Sequence, residues 1–435
     1  MTFDPQQLRL DGIYQQAGDD RWMQRIKIPG GVLSSEQAEK IAEIASKYAG
    51  GRLHLTTRGS VELHDLRRHD LREVQRQLAT VGLTGRGACG GAVRGIACGS
   101  SFGPNFASCQ SLARRLTRHF TGNPWFEGLP KKFKIGILGS GDGKRHLIQD
   151  VGLVHAGIKD GRPLWDVWCG GGLGREPQAA LLLAGRVPEE RIIPLIEGIL
   201  HVYRQGVEKG KRLKHLIRQV GEEEFRNRLR RFTPEPYAPV ANSGFGTTLS
   251  LQTDEEPLRV QVFAGELPAT SLIRLARLAR DYTGGCLVLD GEQDILLLPT
   301  SEKNRAALQQ RLVLAGLGES LTAPAPCFRV CPGSHDCRMG LAPTRDIARD
   351  ILAGLPATAT GTSLAISGCP NACSQPQLAD YGIITRRLTK DEQGRRIPLF
   401  DLLRGEKDGL ATPVAENLSL QDLQTRLKEV FNTSN

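Results

Sequence analysis

The sequence predicts an α+β chain, internally duplicated about a pseudo-twofold axis. Three observations predict this. Residues 25–83 align without a gap on residues 259–317 at a constant offset of 234. Each copy carries the same succession of strand and helix periodicities. Cysteines in metal-ligand spacing occur only in the second half of the chain.

The elements of the repeat follow in order. Arg25-Ile26-Lys27-Ile28 matches Arg259-Val260-Gln261-Val262, and its alternation predicts a half-buried strand. Ile41, Ile44, Ala45 and Tyr48 fall at helical spacing and match Leu275, Leu278, Ala279 and Tyr282. Gly50-Gly51, repeated as Gly284-Gly285, is a helix stop. Leu53 and Leu55, then Val61 and Leu63, predict two further strands, and Leu71 to Leu83 a second helix. The unit therefore reads as a ferredoxin-like half-domain, a fold name that implies no cluster. So regular a match identifies a duplication.

The following segments also correspond, less regularly. Ile135–Val154 lies over Ala365–Ile384, which puts Cys369 and Cys373 over Gly139 and Gly143. Conversely, Thr56-Thr57-Arg58 becomes Asp290-Gly291-Glu292. One half keeps thiols and the other positive charge, so a composite site between them is expected. Four units are expected: half-domains at 1–88 and 239–320, and larger domains at 89–238 and 321–435.

The thiols are Cys331-x5-Cys337 and Cys369-Pro370-Asn371-Ala372-Cys373. Two close pairs on separate loops suit an iron–sulfur cluster, although not the single crowded run of a ferredoxin. Zinc is the rival, but its ribbons favour shorter gaps than five residues. Four buried or incidental thiols are the plain alternative. Ten cysteines without a secretory signal point to metal or chemistry rather than disulfides, hence to a soluble, cytoplasmic protein. No run approaches the length of a membrane span. The net charge of +10 raises the question of nucleic acid, but no recognition motif accompanies it and aromatics are scarce. An anionic substrate, a polycarboxylate cofactor or an acidic partner fits better. The basic run Lys209–Arg231, interrupted by Glu222, Glu223 and Glu224, reads as a solvated helix face.

Arg25-Ile26-Lys27-Ile28-Pro29-Gly30-Gly31, Leu55-Thr56-Thr57-Arg58, Ala92-Val93-Arg94, Leu129–Lys134, Gly170–Arg175 and the two cysteine motifs together resemble the siroheme- and [4Fe-4S]-containing nitrite and sulfite reductases over nearly the whole chain. The resemblance implies two catalytic domains alternating with the half-domains. It implies that Cys331, Cys337, Cys369 and Cys373 hold a [4Fe-4S] cluster, with Cys373 bridging to the siroheme iron. Arg25, Arg94, Lys132 and Lys134 become the anion-binding and catalytic positions. Arg58, Asn371, Arg175 and a flexible, donor-bearing loop at Gly171 and Gly172 become contacts to the siroheme rim. It also implies six-electron reduction of sulfite to sulfide, or of nitrite to ammonia. Lys132-x-Lys134 favours sulfite, the more highly charged anion.

No flavin or nicotinamide domain is left over, so electrons are expected from an external carrier such as a ferredoxin. The glycines at 136–143 resemble a dinucleotide loop only weakly. Precorrin-3B synthases, which resemble the same family, are an alternative against which the full Arg25/Arg94/Lys132/Lys134 set argues. A nucleic-acid-binding protein with a structural cluster is another. Two departures stand out. Glu62 occupies a place where glutamine is usual and would repel an anionic cofactor unless protonated or paired. Cys327 is an additional thiol close to Cys331.

Overall fold

The computed structural model describes residues 4–99, 102–103, 105–232, 256–318, 326–356 and 359–433. The expected unit boundaries at 238/239 and 320/321 lie outside these. The first half contributes β1 (Ile13–Gln15), β2 (Trp22–Ile26), β3 (Val32–Ser34), β4 (Arg52–Leu55), β5 (Val61–Leu66), β6 (Ala97–Cys98), β7 (Ile135–Leu138), β8 (Val151–Lys159), β9 (Arg162–Cys169) and β10 (Leu181–Pro188). The second contributes β11 (Leu258–Val260), β12 (Glu266–Pro268), β13 (Cys286–Leu289), β14 (Ile295–Leu297), β15 (Cys327–Val330), β16 (Ser363–Ser367), β17 (Tyr381–Lys390), β18 (Arg396–Arg404) and β19 (Thr412–Leu418).

The two half-domain sheets exchange a strand. One runs β1-β2-β5-β4-β12 and the other β11-β14-β13-β3, so each ends on a strand from the opposite half. Leu33 lies opposite Leu287, and Leu267 opposite Leu53. These are one pairing related by the repeat offset. Gly31 and Gly265 make the turns into the exchanged strands, with φ of 79° and 67°. A Cβ on Gly31 would meet Leu289 O at 2.4 Å, and one on Gly265 would meet Leu55 O at 2.6 Å. Only glycine accepts both the positive φ and that approach.

Each exchanged strand runs into the long helix of its own half. Ser34 caps helix Ser35–Tyr48 by accepting from Gln37 N at 3.1 Å, while Gln37 Oε1 accepts from Ser34 N. Gly50 and Gly51, at φ 62° and 73°, close it. This helix packs on its repeat, Ala269–Tyr282. Ile41, Ile44 and Ala45 share one buried core with Leu275, Ala276 and Ala279. The half-domains are thus fused.

The larger domains carry sheets β10-β9-β8-β7-β6 and β15-β16-β17-β18-β19, the same order read from opposite ends. Each joins three parallel strands to an antiparallel hairpin. Separate cores lie around Phe133, Trp165 and Tyr203, and around Val330, Ile366 and Phe400. Among the described residues no helix is long and apolar enough to cross a membrane.

The basic run at 209–231 departs from the expected solvated face. Arg226 and Arg228 do pair with Glu222 and Glu224 one turn back. Arg212 and Lys214 are instead buried. Arg212 pairs with buried Asp150 at 2.7 Å, and Lys214 donates to the carbonyls of Gly172, Leu173 and Glu176. They precede or enter a helix whose apolar face, Leu213, Leu216 and Ile217, is core. That burial takes their stems with it.

Candidate active site

The first half supplies cations on adjoining extended segments. Phe133 bridges to Val93, and Arg94 N donates to Phe133 O at 2.8 Å. Phe133 is buried in the core, so Lys132 and Lys134 project to the opposite face, two residues apart. Lys134 N donates to Asp150 Oδ2 at 2.8 Å, tying this segment to the Arg212 pair. Arg58 sits in the β4–β5 turn, where Gly59 takes φ 60°. Its guanidinium donates to Gln149 Oε1 and Gly95 O at 2.7 Å and to Ile135 O at 3.1 Å, all neutral acceptors.

These charges crowd one another. Burial, with Arg94 and Arg212 behind it, brings Lys132 down to about 8, although Cys373 opposes the fall. Burial and Lys132 hold Lys134 well below the usual lysine range. Burial and Arg94 lower Arg58 to about 9. Burial also lowers Arg94, and its Nη1 is buried with no hydrogen-bond partner among the described residues. Half-buried like charges with little compensation suit an anion.

Arg25 differs, because Glu62 answers it. Burial opposes its charge, but Cys89 and Glu62 hold its pKa above the ordinary value. Burial likewise opposes the Glu62 carboxylate, and Arg25 and His64 outweigh it, so Glu62 stays well below the usual carboxylate range. Glu62 is therefore paired and ionised.

The second half supplies thiols. β15 and β16 are parallel neighbours, so the loops leaving their C-terminal ends lie side by side. Cys331 follows the first, and Cys369 and Cys373 the second. Gly368 N donates to Cys331 Sγ at 3.2 Å. Cys337 accepts from the backbone of Met339 and Gly340, and Cys369 from the backbone and side chain of Asn371. Burial pushes Cys331 up to about 12 and Cys369 to about 11, with Cys373 adding to both, and burial also raises Cys337. Among the described residues no three ligating side chains converge tightly enough for one ion. Four mutually repelling sulfurs supplied with N–H donors fit a polynuclear iron–sulfur cluster, which takes thiolates and relieves their repulsion.

Both sets meet at one seam. Thr57 Oγ1 donates to Cys373 O at 3.0 Å, and Gln375 Nε2 returns a bond to Thr57 O at 3.1 Å. Lys132 and Lys134 both feel the Cys373 sulfur. A polycarboxylate macrocycle between thiol loop and cations fits this donor set.

The remaining expected contacts fall less centrally. Asn371 is exposed beside Cys369, and Arg175 is exposed. Gly171 and Gly172 are not a flexible loop. A Cβ would meet Leu147 O at 2.2 Å from Gly171 and Arg212 Nη1 at 2.4 Å from Gly172, and Gly172 N already donates to Gln178 O. Cys327 lies on the repeat-equivalent seam, where its thiol donates to Glu292 Oε2 at 3.4 Å. That seam holds a cavity of about 660 Å³ lined by Arg259, Glu292, Asp294 and Arg329. Its arginines are paired with its acids.

Three residues of the cationic side were not singled out from sequence. Arg212 gave no signal within its basic run. Lys27 alternates with Arg25, which was the available hint, and its ammonium is buried on Val93 O and Thr121 Oγ1. Gln149 holds Arg58.

Comparison with known proteins speaks to the family and the fold. Residues 14–81 match the nitrite/sulfite reductase ferredoxin-like half domain, and residues 106–235 the nitrite and sulphite reductase 4Fe-4S domain. The second match falls on the copy that lacks the thiols, as a duplicated unit allows. The chain is 29% identical to a ferredoxin–nitrite reductase of Synechococcus elongatus, over 94% of this chain and 86% of that one. It is 25% identical to a protein named sulfite reductase [ferredoxin] 2 from Mycolicibacterium paratuberculosis, over 88% of this chain and 73% of that one. The structure of the Mycobacterium tuberculosis NirA protein superposes with a TM-score of 0.83 at 22% identity, covering 99% of this chain and 87% of that one, so the fold is shared.

Proposed function

The chain belongs to the nitrite and sulfite reductase family, oxidoreductases that use siroheme and a [4Fe-4S] cluster, and from that premise we propose that it reduces sulfite to sulfide by six electrons. One observation carries the reading: Lys132 and Lys134, two cations without a carboxylate partner among the described residues, share a seam with Cys373. Cys331, Cys337, Cys369 and Cys373 would hold the cluster, with Cys373 the thiol that lies beside the cations. Arg58 and Asn371 meet the carboxylate rim, and Arg175 is free to reach it. Gly172 serves by letting Arg212 pack closely, and Gly171 by letting the Leu147 carbonyl approach. When bound, the coupled groups would supply single electrons to the anion.

The chain's own part is binding and protonation. Arg25, Arg94, Lys132 and Lys134 converge charge-assisted donors on the anion. Arginine keeps its proton throughout, whereas Lys132, brought down to about 8, can release one as each oxygen leaves as water. Electrons come from a separate carrier, and a ferredoxin appears in the names of both relatives compared above.

Nitrite is the second reading. It is favoured by Glu62, which cancels one of the four cations, and by the relative named a nitrite reductase. The absorption spectrum of the purified protein and dye-linked turnover of both anions test the proposal. Siroheme bands coupled to a cluster, with faster sulfite turnover, are expected. A protein with no tetrapyrrole, or one that reduces neither anion, ends it. Lys134→Asn is expected to lower kcat/KM for sulfite roughly tenfold more than for nitrite, because it removes an amine that a doubly charged anion holds protonated more strongly than a singly charged one. Equal losses would argue for nitrite.

A further inference from the structure

Glu62 stands where an anion pocket tolerates a carboxylate least, and the fold answers it with a fixed partner. β2 and β5 run antiparallel with Arg25 directly opposite Glu62. Arg25 Nε and Nη2 both donate to Glu62 Oε1, at 2.8 and 2.5 Å, and Nη1 approaches Ala88 O and Cys89 Sγ at 3.4 Å. Glu62 Oε2 is bonded to His64 Nε2 at 3.2 Å, and the carboxylate side chain is only 6% exposed. Asp336 and Arg345 complete the charged surroundings, and His54 beside them is kept neutral by burial. By contrast, Arg58, Arg94, Lys132 and Lys134 form no ion pair among the described residues.

We propose that Glu62 is a positioning residue that sets the charge preference of the pocket: it fixes Arg25 and cancels its charge, which narrows the advantage of doubly over singly charged anions. The inference rests on reading this seam as the site where sulfite or nitrite is bound. Each unit of pocket charge acts twice on a dianion and once on a monoanion. Removing the Glu62 charge therefore favours the dianion by one further charge–charge interaction across the pocket, a change on the order of tenfold at an intermediate dielectric. A purely structural carboxylate would weaken both anions alike.

The test compares wild type with Glu62→Gln, which keeps the size and one acceptor, and Glu62→Asp, which keeps the charge. Dye-linked kcat/KM for sulfite and nitrite is measured on the holoenzyme above neutrality, where sulfite carries two charges. Calorimetric titration of the same anions into the oxidised holoenzyme reads binding without turnover. In Glu62→Gln the sulfite-to-nitrite ratio is expected to rise roughly tenfold in both measurements, with Glu62→Asp within about twofold of wild type. An unchanged ratio, or equal loss of both anions, overturns the proposal. If wild type turns over neither anion, the functional reading fails, and the calorimetric ratio still decides the role of Glu62. Should Glu62→Gln not fold, Arg25→Gln leaves the carboxylate uncancelled and is expected to swing the ratio toward nitrite. No swing there also overturns it.

Discussion

Lys27 is 1% exposed, and among the described residues its ammonium has two acceptors, both neutral. Burial, reinforced by Arg94, brings its pKa down to about 7 from 10.5. Between those values the unfolded chain binds a proton that the folded chain does not, so stability rises with pH across that window. Below about 7 the charge is forced into the core in full. Lys27→Met is expected to flatten the rise, gaining most below pH 7 and losing that advantage toward pH 10.5. Urea titrations at three pH values check the slope, and a slope unchanged by the substitution would mean that other groups carry it. At this scale the sequence was uneven. The four thiols are legible because ligand spacing is local, and Lys132 and Lys134 because two residues along a strand share a face. Arg212 was illegible because burial is decided by the helix it precedes, and a basic run looks alike in water and in a core. Glu62 was legible as an anomaly but not as a pair, since its partner is set by the register of β2 on β5.

The elements that the sequence conceals are the exchanged strands. β3 and β12 span three residues each, too few for periodicity to register, and their partners lie more than two hundred residues away. The helices, the glycine stops and the longer strands are legible because they depend on neighbours in the chain. The turns into the exchanged strands supply a paired test. Gly31→Ala and Gly265→Ala each impose a side chain at positive φ against a carbonyl of the other half, so each is expected to cost at least about 2 kcal/mol. Chemical denaturation measures both. Similar losses are the expected outcome, since the two contacts are related by the repeat. A neutral Gly265→Ala beside a damaging Gly31→Ala would show that the second seam has relaxed.

For the whole molecule, the exchange means that neither half closes its own sheet. Expressed alone, each would leave an unpaired edge and half of the core shared by helices Ser35–Tyr48 and Ala269–Tyr282. The N-terminal half alone is expected to aggregate, and co-expression of both halves to restore a soluble, helical species of full mass. Size-exclusion chromatography and circular dichroism of the two preparations check this, and a folded, monomeric N-terminal half would refute it. The pairing of Leu33 with Leu287 and of Leu267 with Leu53 is also the contact that two identical polypeptides would make on meeting. An ancestral homodimer joined end to end would have inherited two equal clefts. One now gathers cations beside sulfur and the other ties its arginines to acids, so fusion released a single copy from chemistry while keeping it indispensable as scaffold.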